Sequence, residues 1–226
     1  MKQPIPVTVV SGFLGSGKTT LLRSLLERRQ ERRLAVLINE LGEISIDGVL
    51  ARASAGANNT GSTSVGATGE VEIVDFPSGL IAYAEDTRFV PTLQAIARRA
   101  ERVDHVLIET SGVALPSAAM ERLQGPELAA DFVLDATLVV VDTPRVLAGE
   151  FQPWSRQRDS GAGVSGANGV TARPSDGAEA LRSAGLLFDQ QLAAADVVVL
   201  NKIDGLDTDA LLAAEEQVRR RRWVWQ

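Results

Sequence analysis

The chain has no cysteine and a single histidine, His105. No disulfide can form, and no Cys/His metal site can be assembled. A bound metal is therefore restricted to oxygen ligands, which points to Mg²⁺. Lysine is scarce too: it stands only at positions 2, 18 and 202, against 20 arginines. Arginine serves almost everywhere a cation is needed. Lys18 and Lys202 thus mark places where a slim ammonium on a flexible stem is required and a planar guanidinium does not fit. No apolar run is long enough to span a bilayer, and the first residues lack the layout of a signal peptide. The expectation is a cytoplasmic protein with no membrane partner. A net charge of −6 and a pI near 5.0 speak against a general nucleic-acid binder.

What is present is a globular composition, 45% hydrophobic and 23% charged over 226 residues. It suits one α/β domain over 1–226, with no second domain. Apolar runs at 5–10, 34–39, 71–76, 105–109, 137–142 and 197–201 read as buried strands. Helical periodicity falls at 20–32, 87–99, 117–123, 187–195 and 208–222. Alternation of this kind predicts a mostly parallel central sheet with helices on both faces, its ligand at the carboxyl ends of the strands. Two segments, near 51–69 and 156–185, are rich in Gly, Ala, Ser, Thr and Asn. They read as flexible loops or insertions, or as partner-binding segments that order on contact.

The run Gly12-Phe13-Leu14-Gly15-Ser16-Gly17-Lys18-Thr19-Thr20 fits G-x-x-x-x-G-K-[ST]. It lies between a β-branched strand and an amphipathic helix, the context the P-loop motif requires. Glycines at 12, 15 and 17 let backbone N–H groups, including that of Ser16, wrap a phosphate chain. The helix N-terminus at Lys18–Thr20 adds its partial positive charge. Lys18 is placed to reach the β- and γ-phosphates, and the Thr19 hydroxyl to hold Mg²⁺. The fold class expected is therefore an α/β P-loop NTPase.

Asn201-Lys202-Ile203-Asp204 follows the strand at 197–201. The Asp204 carboxylate can accept from guanine N1–H and the N2 amine, a donor pair that adenine lacks. The Lys202 stem can lie along the base, and Asn201 can tie this loop to the phosphate loop. The site thus favours GTP and GDP over adenine nucleotides. Glu109-Thr110-Ser111-Gly112 ends another strand. Glu109 can bind Mg²⁺ through water or orient the attacking water, and the Gly112 N–H can reach the γ-phosphate. Its distance from Lys18, with a strand between, differs from the early Asp-x-x-Gly of small Ras-like GTPases. It suggests the branch whose switching works through dimers and partners. Glu40, Glu43 and Asp47 follow the second strand; they are either switch carboxylates near Mg²⁺ or solvated loop acids. Asp142 reads as structural, or as a partner of a site residue. His105 reads as structural. The tail Arg219–Arg222 complements its own helix dipole, with weak support for a membrane or nucleic-acid role.

Four segments together resemble the CobW-type GTPases, relatives of the metallochaperones HypB and UreG. They are residues 4–20, 39–47, 109–112 and 201–204, in the family's order, with Ala195-Asp196 similar as well. The resemblance implies a GTPase that uses Mg²⁺, often forms a homodimer, and couples slow GTP hydrolysis to handing a metal to a client protein. It also exposes departures. The family's Cys-x-Cys-Cys positions fall on Leu80, Ala82 and Tyr83, so thiolate coordination is lost there. The second, often His-rich, domain of many members and the loop completing the guanine pocket do not follow before Gln226. The expectation is a GTP-hydrolysing protein. The alternative is a nucleotide-gated binding protein with little turnover that has lost metal delivery.

Overall fold

The computed structural model describes residues 3–28, 32–38, 63–65, 70–75, 88–151 and 176–222. Seven strands form one sheet: β1 (Ile5–Ser11), β2 (Leu34–Ile38), β3 (Thr63–Val65), β4 (Glu70–Asp75), β5 (His105–Glu109), β6 (Phe132–Asp142) and β7 (Val197–Asn201). Their order is β3-β4-β2-β5-β1-β6-β7. All neighbours pair in parallel except β3, which runs antiparallel to β4 at the edge. The helices are α1 (Lys18–Glu27), α2 (Phe89–Ala97), α3 (Ser117–Gln124), α4 (Thr143–Leu147), α5 (Asp176–Ala193) and α6 (Thr208–Arg222), with a short 3₁₀ turn at Ala100–Arg102.

Side-chain alternation along the strands explains the layers. Val7 and Val9 of β1, Ala35 and Leu37 of β2, and Val106 and Ile108 of β5 face one way. They bury against Phe89, Leu93 and Ile96 of α2 and against Ala119 and Leu123 of α3. Val10, Val36, Leu107 and Val140 face the other way, against Leu22 and Leu26 of α1. A strand covered on both faces has no polar side to spare, which is why all five residues of β2 are apolar and buried. A third cluster joins Val139 and Val141 of β6 to Val146, Phe188, Leu192 and Val218.

Four elements differ from the sequence reading. β6 begins at Phe132 rather than 137, because the 132–136 stretch pairs with the first half of β1 across a register shift. Its mixed burial hides the strand from an apolar-run criterion. α5 begins at Asp176, inside the stretch read as an insertion to 185. β3 lies inside the other such stretch, at 51–69. α1 runs from Lys18 to Glu27, short of the expected 32.

The chain leaves β1, skips the place later filled by β5, and builds β2 and β4 on one side. β6 and β7 extend the other side. The loops that follow β1 and β5 therefore open where the winding reverses, the usual ligand crevice of such sheets.

Candidate functional site

The loop from β1 to α1 takes its shape from three glycines at positive φ: Gly12 at 139°, Gly15 at 73° and Gly17 at 99°. At two of them space is as limiting as backbone angle. A Cβ on Gly12 would fall on the Val140 carbonyl oxygen, and one on Gly17 would fall on the Asn201 amide. Gly17 caps α1 without any side-chain acceptor for the first-turn N–H groups. Those donors are the ones a helix N-terminus presents to an anion.

Lys18 is buried, and its Nζ donates to the Gly12 carbonyl at 2.9 Å and to the Phe13 carbonyl at 3.3 Å. Burial holds its ammonium below the ordinary lysine range, with the charge of Glu109 pulling the other way. The Thr19 hydroxyl donates to Glu109 Oε1 at 2.8 Å, and Glu109 itself is buried. Register places Glu109 beside Val10 at the end of β1. An ammonium, a hydroxyl and a carboxylate thus share one small zone, with oxygen the only metal-ligating element among them. Such a donor set fits a hard divalent cation, and Mg²⁺ in particular. Thr20 is exposed on the first turn of α1, and Ser16 is buried within the loop.

The Asn201 amide donates to the Ser16 carbonyl at 2.8 Å, across 185 residues of sequence. The loop after β7 is therefore tied directly to the phosphate-type loop. Lys202 stands at φ 58°, a left-handed backbone rare for a side-chain-bearing residue. Its Nζ donates to Asp142 Oδ2 at 2.6 Å. Asp204 is exposed beyond it. Gly112 presses on the same loop from the other side: a Cβ there would come within 2.7 Å of the Leu14 nitrogen.

Two residues that sequence reasoning passed over help to build the site. Gln191 on α5 is fully buried, and its amide donates to the carbonyls of Ala114 at 2.9 Å and Gly112 at 3.3 Å. It fixes the turn that follows Glu109. An amide beside the buried Phe188 and Leu192 on an apolar helix face was the available signal. Arg145 donates to the Leu14 carbonyl at 3.1 Å and lies over the rings of Phe13 and Phe151. It sits on α4, a short helix absent from the sequence reading, which Asp142 caps and Pro144 helps to start, and it reaches Leu14 across 131 residues of sequence.

Other expected residues lie elsewhere. His105 bonds Thr8 at 2.8 Å near the amino end of β5, and burial pushes its pKa below the ordinary value. The basic tail is engaged within the chain. Arg219 and Arg220 pair with Glu215 and Glu216, Arg221 pairs with Asp189, and Arg222 donates to the Ala195 carbonyl. Glu40, Glu43 and Asp47, and the positions Leu80, Ala82 and Tyr83, lie outside the described residues. Among the described residues no group of three or more His, Cys, Asp or Glu could hold a metal ion, and no helix is long and apolar enough to cross a membrane.

Residues 6–223 match the CobW/HypB/UreG nucleotide-binding domain. The chain is 35% identical over 215 residues to the zinc chaperone CobW of Pseudomonas aeruginosa, covering 95% of this chain and 53% of that protein. It is 34% identical over 217 residues to the zinc chaperone CobW of a Sinorhizobium species, covering 96% and 56%. It thus spans about half the length of the curated relatives it matches. Among solved structures, the Zn(II)-bound YjiA GTPase of E. coli superposes with a TM-score of 0.55 at 21% identity, over 96% of this chain and 54% of that one. That likeness concerns the fold.

Proposed function

The chain belongs to the CobW/HypB/UreG nucleotide-binding family, and from that premise we propose that it binds GTP with Mg²⁺ and hydrolyses it to GDP and phosphate. The observation that carries the reading is the contact of Thr19 with Glu109 beside the buried Lys18. No stability argument calls for a lysine, a threonine hydroxyl and a carboxylate brought together at a strand end. Burying a charge is costly unless a partner compensates it. A triphosphate and its metal are partners of the right chemistry.

Each residue has a definite task in this reading. The backbone N–H groups of Gly15, Ser16, Gly17 and Lys18 cradle the phosphates, and the N-terminus of α1, at Thr19 and Thr20, faces them. In the nucleotide-bound state the Lys18 ammonium leaves the Gly12 and Phe13 carbonyls for the β- and γ-oxygens. Thr19 and Glu109 would hold Mg²⁺, with Glu40 and Asp47 as further candidate carboxylates. The ion, when bound, neutralises charge that builds on the phosphate oxygens. Gly112 offers its N–H to the γ-phosphate from a turn that Gln191 fixes. Asp204 accepts from the guanine edge, Lys202 lies along the base, and Asn201 keeps base loop and phosphate loop in step. The work is positioning and charge neutralisation, without a covalent intermediate.

Release of inorganic phosphate by the purified chain tests this, with GTP or ATP and with Mg²⁺ or EDTA. The expected result is Mg²⁺-dependent release from GTP and little from ATP. Absence of release from GTP, with GDP still bound, would favour a second reading, a nucleotide-gated binding protein. Leu80, Ala82 and Tyr83, standing where the family resemblance implies a Cys-x-Cys-Cys motif, favour that reading as far as thiolate metal delivery is concerned. A client protein and a homodimer belong to the proposal at the family's level.

A further inference from the structure

Asp142 ends β6 directly opposite Asn201 in the parallel register. It is buried, 6% exposed, whereas the Lys202 side chain that it holds is 47% exposed. Its two carboxylate oxygens have different tasks. Oδ2 accepts from Lys202 Nζ at 2.6 Å, and Oδ1 accepts the backbone N–H of Arg145 at 3.3 Å, capping α4. The carboxylate is therefore fixed by a strand end on one side and a helix start on the other. Lys202 is the one non-glycine residue at positive φ among the described residues. A lysine is kept in that conformation only where its surroundings over-determine it. The Asn201–Ser16 bond fixes the backbone before it, and Asp142 fixes the far end of its side chain.

A lysine held at both ends is a rigid rod, and its methylene stem is a flat apolar surface at a set height above the loop. We propose that Asp142 is a positioning residue for the nucleotide base: it pins Lys202 so that the stem forms one wall of the guanine site. This rests on the guanine-nucleotide reading above and extends it to a residue outside the N-K-x-D pattern. Without the carboxylate, Lys202 becomes a solvated chain with many rotamers, and binding has to order it.

The test is calorimetric titration of the full chain with GDP and, separately, with inorganic tripolyphosphate, which has no base. Asp142→Asn retains an acceptor for the Arg145 N–H and removes only the ion pair, and its melting temperature checks the fold. Its GDP affinity is expected to fall about tenfold, with tripolyphosphate affinity unchanged. Lys202→Met, altered at a half-exposed head, is expected to show the same pattern. The double variant is expected to be no weaker than either single one, because both remove the same interaction. Wild-type GDP affinity in either single variant would overturn the proposal. So would equal loss for both ligands, or losses that multiply. Wild-type protein that binds tripolyphosphate but not GDP would instead remove the guanine reading on which the proposal stands.

Discussion

The two ends of the central sheet are built on opposite terms. At the carboxyl end Ser11, Ser16, Lys18, Glu109, Thr110, Ser111, Asp142 and Thr143 are all buried. Several lie within a few ångströms of one another, joined by bonds that span up to 185 residues of sequence. At the amino end the charged contacts sit on the surface. Arg33 and Asp104 pair at 2.5 Å with side chains 37% and 40% exposed, and the half-buried His105 there is matched by a bond to Thr8. An exposed pair adds little to stability, and a buried polar group costs stability unless matched. The amino end therefore does what a fold requires. The carboxyl end concentrates the expensive groups where a charged ligand would compensate them.

That contrast can be broken in order of expected effect. Lys18→Met should cut GTP turnover by about a hundredfold or more, since it removes a cation aimed at developing charge. The same variant should melt within a few degrees of the wild type, because losing the desolvation cost of a buried ammonium offsets losing its attraction to the buried Glu109. Steady-state hydrolysis and thermal unfolding, run side by side, check both halves. A large drop in melting temperature would mean that Lys18 is structural. Gln191→Leu should cost about 1–3 kcal/mol in urea unfolding, the penalty for leaving the buried carbonyls of Gly112 and Ala114 without their donor. It should also lower turnover more than GDP affinity, because the turn after Glu109 loosens; a wild-type unfolding midpoint would contradict the role given to this amide. Arg33→Ala, at the other end, should change stability by about 1 kcal/mol or less and leave nucleotide affinity alone. A loss of GDP binding in that variant would erase the division between the two ends.

Much of the carboxyl end was legible in the sequence because its parts are local. Gly12–Thr20 is a contiguous loop, Glu109 and Asn201 each close an apolar strand, and β5 and β7 keep the boundaries read from their residues. The P-loop α/β fold and the family followed from the same segments, and both are shown by the comparisons. What stayed hidden is non-local. Arg145 meets Leu14, Gln191 meets Gly112, and Asp142 meets Lys202 only once the sheet order is known. The first half of β6 has only the short apolar run Phe132–Leu134 before Asp135 interrupts it, and its residues after Phe132 are at most partly buried. α5 extends into a stretch of low hydrophobicity, where composition suggests a loop although the chain is helical from Asp176.

The central claim is that the buried polar cluster at the carboxyl end exists to hold a guanine nucleotide. Equilibrium titration of the purified chain with Mg²⁺–GDP against Mg²⁺–ADP, repeated with Asp204→Asn, tests it most directly. The account predicts GDP binding at least about a hundredfold tighter than ADP in the wild type, and loss of that preference in the variant. Equal affinity for the two nucleotides in the wild type, or a preference that survives Asp204→Asn, would contradict it.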